Sequence, residues 1–462
     1  MTDTHALTGG SWRELLGPKN VGASTVLAGG VALYATNEFL TISLLPSAVT
    51  EIGGQRYYAW VMTVYLVASV AGATLVSSLL ARFGPRATYL GALAVFGAGS
   101  AICALAPGME VLLVGRVIQG GAGGLLAGLG YAVINTALPQ SLWTRASALV
   151  SAMWGVGTFL GPAIGGLFAQ FGSWRWAFVV LVVLTVAIGV LVPMALPARS
   201  SAGEVVAIRV PVWSLVLLGA AALVVSVAGV PRHAVVTTIL LVLAGALVVV
   251  FLVVDRATAH PVLPPTVFRP GPLKRIYLTL GALMAATMVV MYVPLFGQKL
   301  AGLAPAAAGI LGVALAIGWT VSEIVSASVD RRAVVARIVG VAPVVMAVGL
   351  GACALLVREG MPAWLAVAWG LAMVVAGLGV GMAWPHLSAW AMTEVDDPAE
   401  GPVAAAAINT VQLICGAFGA GIAGVVVNTV PTGDAVAARW LFGGFAVLVA
   451  FGAIASFRAG RR

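Results

Sequence analysis

Three ionisable side chains lie deep within long apolar stretches of this sequence: Glu38, Arg116 and Glu323. A charged group surrounded by hydrocarbon is costly, so such a residue is by default a candidate for function. A buried carboxyl group can bind and release a proton, because a low dielectric disfavours its charged form. A buried guanidinium needs a countercharge or hydrogen-bond acceptors. We therefore predict that these three residues take part in proton coupling within one network.

A structural role is the alternative for each of the three. For Glu38 it is a carboxyl group that stays protonated and only makes hydrogen bonds. For Arg116 it is a fixed brace between helices. For Glu323 it is an interfacial position, because Asp330 follows soon after it near the predicted cytoplasmic side.

Polar and aromatic residues near these positions predict a substrate cavity. Tyr34 and Thr41 lie about one helical turn before and after Glu38, on the same face. Methionines in the ninth apolar run adapt well to varied ligands, with plain packing as the alternative. The predicted cavity residues are Tyr34, Asn37, Thr41, Gln119, Trp154, Met284, Met288, Tyr292, Trp319, Asn409 and Gln412.

Other patterns exclude several functional classes. The sequence has no phosphate-binding loop after a strand, no HExxH and no nucleophile paired with a base. Its three cysteines stand far apart in apolar runs, which gives neither disulfide nor zinc spacing. We accordingly expect no enzymatic activity, no metal and no cofactor, with the proton as the coupling ion.

The composition is typical of a chain whose solvent is lipid. Of its 462 residues, 61% are hydrophobic and only 8% are charged, whereas soluble domains are about a quarter charged. This balance excludes an ordinary soluble enzyme, a secreted domain and a disordered chain. The net charge of +9 reflects basic residues in short loops, so membrane topology explains it better than nucleic-acid binding does.

Fourteen apolar runs are long enough to span a bilayer, which requires about 20 residues each. Lys and Arg are concentrated in alternate loops, which predicts that both termini are cytoplasmic. One inner loop, 387–401, breaks this pattern because its only charges are acidic. The predicted spans are 24–48, 58–80, 87–107, 110–134, 145–170, 175–196, 211–230, 234–254, 275–297, 304–328, 334–357, 362–386, 402–428 and 437–457.

The predicted fold is an all-α integral membrane protein with two six-helix bundles and two inserted central helices. The two central spans are almost wholly aliphatic, so we expect lipid-facing inserts. A proline-rich segment, which favours extended structure, follows them. The predicted units are a cytoplasmic N-terminal segment (1–23), an N-terminal bundle (24–196), the inserted helices (211–254), a cytoplasmic linker (255–274), a C-terminal bundle (275–457) and a cytoplasmic tail (458–462).

Glycines and a proline recur in the fifth predicted span, in the run GTFLGPAIGG at 157–166. This run resembles the antiporter signature GxxxGPxxGG of drug:proton exporters in the major facilitator superfamily. The run GRVIQGG at 115–121 resembles a second motif of that family, whose arginine is implicated in proton transfer. The resemblance covers essentially the whole chain and favours the fourteen-helix drug:proton antiporter type. It implies that an antiporter motif packs the fifth helix tightly, and that motif comprises Gly157, Gly161, Pro162, Gly165 and Gly166.

Two departures from the family pattern affect the expected roles. Arg82, Gly84 and Arg86 resemble the cytoplasmic gate motif, but Ala81 replaces its acidic residue, which implies a gate that is weaker or built otherwise. Relatives carry LDxTxxxxALP in the first span, and counting back from the proline places Asn37 in the aspartate position. Glu38 lies one residue later, about 100° around the helix, so its proton-binding role requires a local adjustment.

The residues and the resemblance together predict a multi-pass exporter in the bacterial cytoplasmic membrane. It would exchange protons for amphipathic or cationic small molecules by alternating access, as a monomer and without nucleic acid. The alternative cargo is a dedicated lipid, siderophore or natural product. A membrane scaffold, sensor or enzyme that transports nothing is the alternative from another functional class.

Overall fold

The computed structural model describes residues 11–198, 211–231, 233–259, 261–329, 331–397, 400–430 and 433–459, and their regular secondary structure is entirely helical. The ends of the predicted terminal segments, as well as Asp330, lie outside these residues. The long helices are α1 (Val21–Ile52), α2 (Trp60–Thr74), α3 (Val76–Ala104), α4 (Met109–Ala132), α5 (Trp143–Phe171), α6 (Arg175–Ala195), α7 (Val212–Ala228), α8 (Ala234–Ala257), α9 (Pro272–Thr287), α10 (Pro305–Ala327), α11 (Arg332–Leu356), α12 (Ala363–Thr393), α13 (Gly401–Thr429) and α14 (Asp434–Ala459). Shorter helical segments are Trp12–Leu15, Gln55–Tyr57, Ile134–Ala137, Gln140–Leu142, Pro265–Phe268, Met288–Tyr292 and Val293–Ala301.

Each predicted span overlaps at least one long helix, and the all-helical architecture is confirmed. By length and composition, twelve helical stretches among the described residues can cross a membrane. The two long helices outside this set are α7, which has only 17 residues, and α1, which carries the polar residues around Glu38.

Two predicted boundaries differ from the observed ones. The second span does not end at residue 80. It continues from α2 into the first residues of α3, and the chain turns at Gly84, whose φ of 77° is left-handed, and at Pro85 directly after it. The ninth span is not one regular helix, because Pro294 has no N–H for the carbonyl of Val290. A 3₁₀ segment, Met288–Tyr292, therefore interrupts it.

The helices form two bundles that meet along two seams. In the first bundle α1 packs against α5, and α4 packs against α2 and α3. In the second, α12 packs against α10 and α11, and α9 packs against α13 and α14. Between the bundles, α2 contacts α13 and α5 contacts α10. We call these contacts the α2–α13 seam and the α5–α10 seam.

Hydrogen bonds join the bundles at the end where α1 finishes and α2 begins, which the predicted topology places outside. Tyr58 Oη donates to the carbonyl of Met291 at 3.1 Å. Asn428 Nδ2 donates to the carbonyl of Arg56 at 3.0 Å. The amide of Ala306 donates to Gln170 Oε1 at 3.3 Å. The bundles are thus held together at this outer end, and we call the opposite end the inner end.

The inserted helices are not equivalent, and the expectation that both face lipid is wrong for α7. Helix α7 packs against α2 and α13, and its Leu218, Ala222 and Ser226 are buried. Helix α8 packs on α7 and keeps most of its side chains exposed. The difference arises because the small residues of α7 fit into the α2–α13 seam.

The linker docks on the acidic inner loop, which accounts for the exception in the charge pattern. Arg269 Nη1 pairs with Asp396 Oδ2 at 2.9 Å, and the amide of Thr266 donates to Glu400 Oε2 at 3.1 Å. At the linker's start, which α8 overlaps, Asp255 is fully buried and its carboxylate accepts the amides of Val262 and Leu263. These acids therefore bind the linker rather than setting topology.

Candidate proton and substrate site

Arg116 is the centre of a buried polar cluster in the first bundle. Its guanidinium is fully buried, and Nη1 donates to Asn37 Oδ1 at 3.0 Å and to Gln119 Oε1 at 2.9 Å. Nε donates to the carbonyl of Val61 at 3.3 Å, and the guanidinium carbon lies 4.0 Å from the ring centre of Tyr65. The cation is therefore held by neutral acceptors and an aromatic face.

Gln119 extends this cluster from α4 to α3. Its Nε2 donates to Ser100 Oγ at 2.9 Å, and Ser100 Oγ donates to the carbonyl of Phe96 at 2.9 Å. Gln119 Oε1 accepts from Arg116 and Nε2 donates to Ser100, so these two contacts fix the orientation of the Gln119 amide. Helix α4 thereby holds Arg116 in one position between α1, α2 and α3.

Glu38 lies beside this cluster without pairing to it. Its side chain is only 7% exposed, and no described residue makes a hydrogen bond or an ion pair with its carboxylate. Arg116 contacts Asn37 instead, because consecutive residues point about 100° apart around a helix. The predicted network thus takes the form of an arginine–amide cluster with an unpaired carboxyl group next to it.

Two buried polar atoms near Glu38 have no partner among the described residues: Tyr34 Oη and Asn37 Nδ2. The Tyr34 ring stacks on Tyr65 with centroids 5.5 Å apart and meets Trp154 edge-on at 5.3 Å. Buried polar groups are nearly always hydrogen-bonded in proteins. These two atoms can therefore serve a water molecule or a polar group of a bound compound.

The glycines of the predicted antiporter motif bring α5 against α1. A methyl group added to Gly157 would lie 2.5 Å from Ala35 Cβ, and one added to Gly161 would lie 2.8 Å from the Leu40 amide nitrogen. A methyl group on Gly165 would lie 2.5 Å from the carbonyl oxygen of Leu40. These three glycines leave no space for side chains, so backbone packs on backbone alongside Glu38.

The last residues of the motif contact other groups. The carbonyl of Pro162 accepts a hydrogen bond from Ser43 Oγ at 3.0 Å, which ties α5 to α1 again. A methyl group on Gly166 would lie 2.7 Å from the Cα of Ala306 in α10. Gly166 therefore contributes to the α5–α10 seam rather than to the α1 contact.

The predicted cavity residues of the second bundle lie on α9, the 3₁₀ segment after it, α10 and α13, and they differ in exposure. Met284 and Tyr292 are buried, and the Tyr292 ring stacks on Tyr58 with centroids 4.9 Å apart. Met288 and Gln412 are half-buried, whereas Asn409 is exposed. Thr41, in the first bundle, is buried and donates to the carbonyl of Asn37 at 2.7 Å.

Glu323 forms a separate group in the second bundle. Its Oε2 accepts a hydrogen bond from Trp319 Nε1 at 2.8 Å, and Trp319 lies 5.7 Å from the ring of Trp384. None of its described hydrogen bonds or ion pairs reaches Arg116. No three described His, Cys, Asp or Glu side chains come together as a metal site.

The predicted gate residues lie at the turn between the second and third spans. Arg86 Nε donates to the carbonyl of Leu196 at 2.9 Å, which fastens α3 to the end of α6. Arg82 lies over the ring of Phe83, 5.2 Å from its centre. Gly84 supplies the left-handed turn between them.

Tyr65 and Ser100 also belong to the Arg116 cluster, although neither was predicted from the sequence. Tyr65 lies two helical turns after Tyr58, on the same face, which was an available signal. Ser100 had no such signal, because a single serine in an apolar helix more often satisfies itself by bonding to the preceding turn.

Comparison with known proteins agrees with this architecture. A model of the Major Facilitator Superfamily matches residues 27–420. A Mycobacterium tuberculosis protein named as a probable multidrug-efflux transporter is 58% identical over all of this chain and 99% of its own length. A Bacillus subtilis multidrug transporter protein is 24% identical over 83% of this chain and 71% of its own length.

Solved structures show the same fold at low identity. A nucleoside transporter matches with a TM-score of 0.66 and 14% identity over 94% of this chain and all of its own. A bacterial homologue of the human lysosomal transporter Spinster matches with a TM-score of 0.67 and 12% identity over 96% and 97% of the two chains. The family and these neighbours are transporters, so the expectation of a non-enzymatic, multi-pass membrane transporter is confirmed. The chain belongs to the major facilitator superfamily.

Proposed function

We propose that this protein is a proton-coupled exporter of amphipathic or cationic small molecules in the cytoplasmic membrane of a bacterium. The proposal includes fourteen membrane crossings, cytoplasmic termini, a monomeric unit and no cofactor beyond the transported proton. The family, and the 58% identical relative named as a probable multidrug-efflux transporter, support it.

The observation that carries the proposal is the state of Glu38. Its carboxyl group is buried, has no hydrogen-bond or ion-pair partner among the described residues and lies one residue from the amide that binds Arg116. A carboxylate with fixed hydrogen bonds would hold its charge permanently, whereas an unpaired one changes its charge when its surroundings change. Glu38 is therefore suited to bind a proton in one conformation and release it in the other.

The mechanism follows from the positions of the bundles. They rock about the cavity, and a proton from outside neutralises Glu38 before the cavity opens inward. At the inner end, release of that proton leaves a carboxylate that attracts a cationic cargo. Exchange of one proton for an uncharged cargo moves one charge, which releases about 2.3 kcal/mol per 100 mV and sustains a concentration ratio of about fifty. Exchange of one proton for a monovalent cation moves no net charge, so the pH gradient alone drives it.

Transport in liposomes with an imposed pH gradient tests this directly. We expect the wild-type protein to accumulate tetraphenylphosphonium against its gradient and to move protons in step. Glu38→Gln keeps the side chain's shape but cannot titrate, so it should lose both accumulation and proton flux while it still exchanges cargo without a gradient. Glu110→Gln is the matched control, because Glu110 is exposed in the first turn of α4.

Proton flux at the wild-type rate in Glu38→Gln would remove Glu38 from the coupling mechanism. The same measurement on Glu323→Gln then examines the second predicted acid. A wild-type protein that moves no protons with any cargo would contradict proton coupling as a whole.

A further inference from the structure

A molecule dissolved in the membrane can reach a cavity between two bundles only along the seams where they meet. An amphipathic cargo partitions into the bilayer. Its route into the cavity therefore depends on which seam is covered by other helices. For the nature of the cargo, the inference below rests on the proposed function.

Helix α7 covers the α2–α13 seam along its length. Leu218 and Ala222 of α7 are buried in one cluster with Leu66 of α2 and Ile414 of α13. A methyl group on Gly219 would lie 3.0 Å from Val67 Cγ1, so α7 approaches α2 closely. The gap between the two bundles on this side is therefore filled by a third helix.

Hydrogen bonds hold α7 in place at the outer end of this seam. Trp60 Nε1 donates to the carbonyl of Ser226 at 3.0 Å, and the hydroxyls of Ser226 and Thr63 lie 2.9 Å apart. On the opposite side, a methyl group on Gly421 of α13 would lie 2.9 Å from Ser226 Oγ. A single serine of α7 thus touches both bundles.

The linker and α8 hold α7 in place at the inner end of the seam. Phe251 of α8 and Val262 of the linker belong to the same buried cluster as Leu218. Asp255 accepts the amide of Val262 at 2.8 Å, which secures the chain after α8. Helix α7 is therefore anchored at both ends of the seam.

Close contact between α5 and α10 lies at the outer half of their seam, whereas space remains open beside Gly155 nearer the inner end. A methyl group on Gly309 of α10 would lie 3.0 Å from the carbonyl oxygen of Pro162 in α5. Gly155 lies on the same face of α5 as Pro162, two turns closer to the inner end. A methyl group there would meet no heavy atom within 4 Å. Among the described residues, neither inserted helix makes more than scattered contacts with α5 or α10.

From these contacts we propose that α7 and α8 seal the α2–α13 seam, so that membrane-dissolved cargo enters the cavity through the inner half of the α5–α10 seam. The inserted pair thereby gives the transporter one lateral entrance instead of two. Its role is to direct cargo rather than to bind it.

Lipid access at the two seams tests the proposal without any transport assay. In a variant whose three cysteines are replaced by alanine, a bimane label is placed at Gly155→Cys, Val67→Cys or Gly245→Cys, and the protein is reconstituted in brominated phosphatidylcholine. Gly245 lies on α8, where an added methyl group also meets no heavy atom within 4 Å, and gives the quenching expected for full lipid contact. We expect strong quenching at residue 155 and little at residue 67.

Transport supplies the second test. Gly155→Phe should obstruct the entrance and lower the initial export rate of a lipophilic cation about tenfold, equivalent to a barrier about 1.4 kcal/mol higher. Gly245→Phe is the matched control and should keep the wild-type rate. If Gly155→Phe does not fold, the quenching of the smaller cysteine variants decides.

Equal quenching at residues 67 and 155, or a shielded label at residue 155, would overturn the proposal. So would an unchanged rate in a folded Gly155→Phe variant. A failure of the proposed function looks different, because it abolishes proton-coupled flux in the wild-type protein and leaves the quenching pattern as expected.

Discussion

Substitution of Asn37 measures how much the arginine–amide cluster contributes to stability. Asn37→Leu keeps the approximate side-chain volume but removes the acceptor 3.0 Å from Arg116 Nη1. The second acceptor of Nη1, Gln119 Oε1, stays in place. A hydrogen bond to a buried charge contributes about 1.5–3 kcal/mol, so we expect the free energy of unfolding to fall by about 2 kcal/mol.

Asn37→Asp at the same position has a different expected result. The carboxylate keeps the acceptor and adds a charge, which attracts the guanidinium by about 4 kcal/mol at 4 Å and an effective dielectric of 20. Desolvation of a buried carboxylate costs several kcal/mol and offsets most of this gain. The Asp variant should therefore unfold within about 1 kcal/mol of the wild-type protein.

Thermal unfolding of the purified protein in detergent, followed by tryptophan fluorescence, provides the comparison. Asn409→Leu is the control, because Asn409 is exposed and should tolerate the same change within about 0.5 kcal/mol. Equal unfolding midpoints for Asn37→Leu and Asn37→Asp would refute the reasoning, since the hydrogen bond to Arg116 would then contribute nothing.

Two further predictions concern packing and pH. Gly161→Leu places a side chain where a methyl group already comes within 2.8 Å of the Leu40 amide, so it should destabilise the protein by about 1–3 kcal/mol in the same unfolding assay; a wild-type midpoint would contradict close α1–α5 packing. At the outer end of α1, hydrogen bonds from Arg175 and Trp174 hold the pKa of the exposed Glu51 carboxyl below its ordinary value. That stabilisation is present above the unfolded pKa and disappears as pH falls through the lower folded one. The midpoint difference between wild type and Glu51→Gln should therefore shrink as pH falls below the ordinary glutamate pKa of about 4.3, and a difference that stays constant as pH falls below that value would exclude this cause.

The helical architecture could be predicted because it follows from composition alone. A run of about 20 apolar residues has to satisfy its own backbone in lipid, so it forms a helix whatever its neighbours are. The depth of Arg116 within such a run likewise required no knowledge of other helices. Its full burial agrees with that expectation.

The partners of these residues could not be predicted, because they depend on how the helices are rotated and packed. Whether Arg116 contacts Asn37 or Glu38 depends on a rotation of α1 by about 100° about its own axis. Hydrophobic periodicity does not specify this rotation, because apolar residues lie on every side of α1. The packing position of α7 could not be predicted for a related reason. Its small apolar residues are compatible both with a surface that faces lipid and with a surface that packs into the α2–α13 seam.

The glycine contact between α5 and α1 also has a mechanical consequence. Side chains between two helices act as compressible spacers, since they change rotamer when the helices shift. Gly157, Gly161 and Gly165 leave no such spacers, so α1 and α5 form one stiff strut. When α5 moves at its seam with α10, α1 therefore moves with it, and the position of the Glu38 carboxyl group changes by a similar amount.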